Sequence, residues 1–210
     1  MRKRLLPILL VAACVAAGVA ALGLAVDVAS VRAALSDDDV RYRTAPAEEL
    51  WAPRELAPGG AATRLLGVRD DLLFRRALRA VRLSHPELPG FSDPSYVLHR
   101  NDATAWLVDV VQRDASLERR SAAANLLGVL TFADAIADYQ NRAKLLESAG
   151  GRFRQAVSLD SANAEAKANL ELTLSRSREF ELSEAGGGTD PSPGGRGSRG
   201  AGAGDAGTGY

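Results

Sequence analysis

The hydrophobic pattern divides the chain into stretches of different period. Residues 5–26 carry no charge and no alternation; at about 1.5 Å of rise per residue they make a helix long enough for the roughly 30 Å of a bilayer core. Residues 36–60 (SDDDVRYRTAPAEELWAPRELAPGG) mix acids, prolines and a glycine pair without helical or strand period, as a stalk or linker does. In residues 63–84, Leu65, Val68, Leu72, Leu73, Ala77, Ala80 and Val81 recur at three- and four-residue steps, which predicts one amphipathic helix ended by His85 and Pro86.

Turn-formers fill the next stretch (HPELPGFSDPS), where Asp93 is placed to cap a short helix begun by Pro94, and Asp102 to cap a second. In that second helix Ala103, Trp106, Leu107, Val110 and Val111 share a face, putting Trp106 in the core. Residues 117–175 are helix-compatible except at Gly150-Gly151 and at 160–163. Between those breaks Phe153, Ala156, Val157 and Leu159 form a short amphipathic helix. Asn163 then caps the next, which opens with Glu165 where the helix dipole favours an acid and continues through Leu170, Leu172 and Leu174. With Trp106, the expected core residues are Phe153, Ala156 and Leu170. Residues 186–210, mostly Gly with Ser, Pro and Ala, hold too few apolar side chains to offset chain entropy.

The expected fold class is therefore all-α. It comprises a basic end (1–4), a transmembrane helix (5–27), a stalk (28–60), a small helical domain (61–184) and a disordered tail (185–210). Composition adds topology. Arg2, Lys3 and Arg4 before the apolar run and Asp27 after it place the N-terminus in the cytoplasm and the domain outside. Two other readings of the run stand beside the anchor: a signal peptide cleaved near Val28-Ala29-Ser30, and a lipoprotein signal in which Val11-Ala12-Ala13-Cys14 acts as a lipobox. Lysine occurs only at Lys3, Lys144 and Lys167 against abundant Arg and Ala, which reads as a GC-rich bacterial genome and hence a bacterial cell membrane.

Over 210 residues the formal net charge is zero, so nothing global points to nucleic acid and electrostatics must act locally. The local feature is a basic ridge on the predicted 63–84 helix. Arg75, Arg79 and Arg82 follow four- and three-residue steps, with Arg69 and Arg76 beside them and only Asp70 and Asp71 opposing. Such a ridge docks an acidic partner or anionic lipid headgroups, or is an ordinary solvated face. Arg154 and Lys167 complete the candidate partner surface. Asp37, Asp38 and Asp39 read as a solvated charge run, and Trp51 is left between packing on the domain and touching a partner.

Candidate chemistry is thin. The single cysteine forms no intrachain disulfide, and neither His85 nor His99 lies near a Cys or a nucleophile elbow. No Walker loop, dinucleotide fingerprint or HExxH pattern appears, so a non-catalytic role without cofactor is expected, with an envelope enzyme or solute-binding lipoprotein as the other class.

The stretch GGRFRQAVSLDSANAEAKANLE resembles a tetratricopeptide repeat. Ala156, Leu159, Asp160, Asn163, Ala164, Glu165, Ala166, Asn169 and Leu170 match the end of a second helix, its corner and the start of the next helix. Upstream, Ala124-Asn125-Leu126-Leu127-Gly128 is similar to a first helix whose small residue admits close approach. Ser161 replaces the usual proline, Lys167 and Glu171 stand where Trp and Gly are common, and the spacing from Gly128 to Ala156 exceeds the family's. Another register makes Gly150-Gly151 the hairpin loop itself. Either register gives a helical hairpin plus one capping helix. With the N-terminal anchor and the Gly-rich tail closing in Tyr210, the chain is similar to the small anchored repeat proteins of actinobacteria that accompany MoxR-type ATPases and von Willebrand factor A domain proteins. That likeness implies an assembly role and membrane or envelope proteins as partners.

Overall fold

In a computed structural model of the chain, residues 2–84 and 95–187 are described, with side chains over 10–84 and 95–183. The described residues are all helical in their regular structure. The helices are α1 (Arg2–Thr44), α2 (Ala61–Leu65), α3 (Arg69–Leu83), α4 (Ser95–Arg113), α5 (Leu117–Ala137), α6 (Arg142–Leu159) and α7 (Ala164–Gly187). The expected sites at His85, Asp93, Pro94 and Tyr210, and the tail from 188 onward, lie outside the described residues.

From α3 to α7 each helix packs chiefly on the next, and α7 also returns to touch α5. The shared core is rich in alanine: Ala77, Ala80, Ala103, Ala123, Ala124, Ala156 and Ala166 are almost wholly buried beside Leu107, Val110, Leu127 and Leu130. Small side chains let helix backbones approach closely, so the domain gains from packing density as well as from area. The closest approach is between α5 and α6. A methyl group placed on Gly128 would sit 2.5 Å from Cε1 of Phe153, itself 1 % exposed, so glycine is required there for the ring to seat. Phe153 and Ala156 thus occupy the expected core.

Several elements differ from the expectation. Gly150 and Gly151 lie inside α6, and the hairpin turns instead at residues 138–141. There Asp138 accepts from the N–H groups of Gln140 (3.0 Å) and Asn141 (3.1 Å), a local turn that competes successfully with helix. The glycine-loop register is therefore excluded. α4 is one helix, with Asp102 exposed in its middle and not capping a second. Its buried face is Ala103, Leu107, Val110 and Val111; Trp106 is half-buried at the edge of the core. Along α7 the buried positions are Ala166 and Thr173, while Leu170 is half-buried and Leu172 and Leu174 are 47 % and 41 % exposed. Residues two apart point to different sides of a helix, so those three leucines cannot share one face. Asn163 does cap α7, its Oδ1 accepting from the Ala166 N–H at 2.9 Å.

The segment expected as a linker departs furthest. Helix α1 continues through Asp37, Asp38 and Asp39 to Thr44. Residues 45–60 then return along it, meeting Glu48 to Arg41, Trp51 to Asp38 and Asp39, and Leu56 and Ala57 to Asp27. From Asp38 to Asp27 the helix descends about 16 Å, and the five residues from Trp51 to Leu56 reach about 17 Å only when extended. Pro53 suits that conformation. The single helix expected over 63–84 is broken by Gly67, whose φ of +66° is open to glycine and strained for other residues. Its N-terminal piece is the short α2, which leaves Leu65 67 % exposed.

Candidate functional site

The basic ridge exists on α3, and the protein itself occupies it. Arg76 donates to the Trp51 carbonyl from Nε (3.0 Å) and Nη2 (2.6 Å). Arg79 donates to the carbonyls of Pro46 (2.8 Å) and Ala47 (3.0 Å), and Arg82 to that of Tyr42 (2.7 Å). Arg75 binds Asp71 at 2.9 Å and also pairs with Asp39. Desolvation holds Arg79 below the ordinary guanidinium range despite the attraction of Glu49, so this face is not a freely solvated one.

Behind the ridge lies a second small core of Leu50, Trp51 and Leu72, flanked by Leu35, Tyr42 and Val68. Trp51 is 2 % exposed and adopts φ +54°, the left-handed region. A bulky residue is held there because each of its own polar groups is engaged: its N–H donates to Asp38 (2.7 Å), its indole N–H to Asp39 (3.1 Å), and its carbonyl accepts from Arg76. Tyr42 packs on its ring at 5.1 Å. Asp38 and Asp39 are thus structural ligands of the strap formed by residues 45–60, only Asp37 of the expected solvated run being exposed, and Trp51 packs inward.

Arg154 and Lys167 are exposed, on α6 and α7 respectively, away from this joint; Arg154 borders a shallow groove against α7 with Leu174 and Glu181. The structure therefore does not gather the five candidate cations into one surface. The residues matching the repeat pattern form a polar seam between α5 and the α6–α7 corner. Ser121 donates to the Ala156 carbonyl (2.8 Å) and accepts from Asn163 (2.9 Å), and Asn169 donates to Asn125 (2.9 Å). These buried polar groups fix register.

A groove that sequence reasoning did not single out opens where the end of α5, the start of α6 and the outer half of α7 diverge. Its volume is about 450 Å³, and Phe132, Ile136, Leu146, Leu172 and Phe180 make its wall. At its rim Arg142 lies over Tyr139 (4.9 Å) and Phe180 (5.9 Å) while donating to the carbonyls of Ala135 (3.0 Å) and Ile136 (3.2 Å). Ile136 and Tyr139 are 63 % and 64 % exposed. The sequence signal for this groove is apolar residues on the far side of two otherwise satisfied helices, visible only once the turn at 138–141 is known.

Elsewhere, Asp114 joins α4 to α5. Burial pushes its carboxyl up, but hydrogen bonds from Arg119 and the Ser116 N–H, with the charges of Arg119 and Arg120, more than offset this and leave it below the usual range. Among the described residues no group of three or more His, Cys, Asp or Glu is arranged to hold a metal ion. No protein-family model, curated protein or solved structure matches the chain.

Proposed function

We propose that this protein is a single-pass, membrane-anchored interaction module that works without catalysis, its helical domain seating an amphipathic helix of another membrane or envelope protein. The observation that carries the reading is the apolar groove at the diverging ends of α5, α6 and α7, whose wall includes exposed Ile136 and whose Phe180 meets the exposed ring of Tyr139. Helical-hairpin stacks bury each layer on the next, and a terminal layer left apolar is where another helix adds. The ridge of Arg75, Arg79 and Arg82 is engaged within the chain, which favours the groove over the ridge as the partner surface.

Helix α1 is long and apolar enough to cross a membrane. The three basic residues before its uncharged run support a cytoplasmic N-terminus, with the domain on the outer face of a bacterial cell membrane. The resemblance to anchored repeat proteins supplies the partners to try first, namely von Willebrand factor A domain and MoxR-associated proteins.

The test is pairwise co-purification of full-length chain with those candidates from detergent-solubilised membranes. Ile136→Glu and Leu172→Glu are expected to abolish a pairing that Lys167→Ala leaves intact, with circular dichroism unchanged. Retention of every pairing by both groove variants overturns the groove as the site. A reporter after residue 187 that is active only in the cytoplasm overturns the topology.

A further inference from the structure

The joint between α1 and the strap contains an acid in an unexpected place. Asp27 directly follows the uncharged run of residues 5–26, yet it is 1 % exposed. Its carboxylate accepts from the N–H of Leu56 (2.8 Å) and of Ala57 (2.7 Å), both bonds strengthened by the charge. Burial on α1 starts lower still. Residues 10–22 are all exposed, whereas Gly23 and Leu24, inside the apolar run, are already partly covered.

The residues at the turn of the strap have the opposite character. Leu56 is 77 % exposed, and Arg54, Pro58, Gly59 and Arg64 are also at the surface. Glu55, the residue before Leu56, ties the turn together by accepting from the N–H of Ala62 (2.8 Å) and Thr63 (3.3 Å). Arg64 donates to the Gly59 carbonyl at 2.6 Å. The turn therefore holds a defined shape, with an apolar tip fixed beside Asp27.

We propose that residues 54–60 form a collar seated in the interfacial layer of the membrane, with Leu56 reaching the boundary between headgroups and acyl chains. This rests on the reading of α1 as a membrane anchor. The uncharged run is about 33 Å long, against roughly 30 Å of hydrocarbon, so its end at Asp27 lies within a few ångströms of the boundary. The two hydrogen bonds from the Leu56 and Ala57 N–H groups fix this backbone at that same level, so the exposed Leu56 side chain meets lipid and not bulk water. The arrangement also explains the buried acid: a carboxylate at the edge of hydrocarbon is costly, and the N–H pair of the collar satisfies it there. Continuity with the apolar helix identifies the occupant as the bilayer that α1 crosses, and Arg54 stands where headgroup phosphates lie.

The test uses full-length protein in vesicles of phosphatidylethanolamine and phosphatidylglycerol. An environment-sensitive fluorophore is attached to native Cys14, or to Leu56→Cys or Asp37→Cys in a Cys14→Ser background. Asp37 is an exposed reference on the same helix, about 15 Å beyond Asp27 and so past the headgroups. Lipids carry a nitroxide either near the headgroup or near the chain end.

The label on Cys14 is expected to be quenched most by the deep nitroxide. On Leu56→Cys it is expected to be quenched by the shallow one with blue-shifted emission, and on Asp37→Cys only by aqueous iodide. If Leu56→Cys matches Asp37→Cys in emission and iodide quenching while Cys14 is still quenched by the deep nitroxide, the collar is overturned and the anchor stands. If Cys14 is untouched by either lipid nitroxide, the anchor falls and the collar with it.

Discussion

The stack of α5, α6 and α7 and the joint between α1, the strap and α3 are held by different physics. The stack interdigitates small and large apolar groups over short connections, with Phe153 pressed on Gly128 and Asn163 capping the next helix. In the joint, guanidinium groups of one helix take backbone carbonyls from the end of α1 and from the strap that follows it, 25 to 40 residues earlier in sequence, around a small aromatic core. Packing of the first kind imposes a period on the sequence. Recognition of a carbonyl imposes none, since the backbone of any residue supplies the acceptor.

The comparison is broken most directly at its most tightly packed point. Phe153→Ala empties a fully enclosed site and is expected to cost about 3–5 kcal/mol, much of the stability of a small domain. Gly128→Ala drives a methyl group into the same ring and is expected to cost about 1–3 kcal/mol by overpacking. The double variant should be less damaging than the two costs added, because the ring that the new methyl strikes is gone. Urea titration followed by helical circular dichroism measures all of these. Simple additivity would mean that the two residues do not meet.

The joint should respond differently. Arg75→Gln, Arg79→Gln and Arg82→Gln together remove charged hydrogen bonds that each contribute about 1.5–3 kcal/mol at most, and part of that returns as the strap rehydrates. The expected outcome is local: Trp51 emission shifts to the red and residues 45–60 become cleavable, while the helical signal of α4 to α7 and its urea midpoint hold. Loss of both together would show one cooperative unit and dissolve the distinction between the two regions.

This difference explains what was legible in the sequence. The all-helical class and the buried faces of the α3 and α4 helices follow from period, the cap at Asn163 from its side chain, and the close approach at Gly128 from the likeness to a repeat's first helix. Three things did not follow. A helix through Asp37, Asp38 and Asp39 is hidden because the acids interrupt its apolar pattern, two of them, Asp38 and Asp39, being there to bind Trp51. The ridge on α3 reads as facing outward in sequence because its ligands are carbonyls, which have no signature in side-chain sequence. The groove beside Phe180 depends on where the hairpin turns, and glycine punctuation pointed to residues 150–151 where the Asp138 turn in fact governs.

The Asp114 link lies between the two regimes, a polar clasp inside the packed domain. Its folded pKa is depressed below an ordinary value near 3.8, so the stability it contributes is fully present above that value and is lost as pH falls through the folded pKa. Asp114→Asn is expected to destabilise at neutral pH by about 1–3 kcal/mol, since Arg119 loses its charged partner, and to shrink the gap from the parent as the pH falls through the folded pKa. Urea midpoints at pH 7 and at the acid limit measure the gap, and an equal gap at both would remove the carboxylate from the explanation.

The smallest expected effect is at Gly151, and it bears on how the packed region is built. The glycine pair reads as a break in sequence, yet both residues are helical, and the two differ in surroundings. Gly150 is buried, with a methyl group placed on it falling 3.9 Å from Cγ2 of Thr173, whereas Gly151 is exposed with nothing within 4 Å of that position. Neither has the positive φ that would strain a side chain. At Gly151 alanine therefore meets no obstacle, and it lowers the entropy of the unfolded chain. Gly151→Ala is expected to raise stability by about 0.4–1 kcal/mol. Were α6 interrupted there, as a glycine loop would require, the same substitution would strain the turn and lower the urea midpoint. The sign of this one small change thus separates a continuous helix packed along α5 from two short helices joined at the glycines.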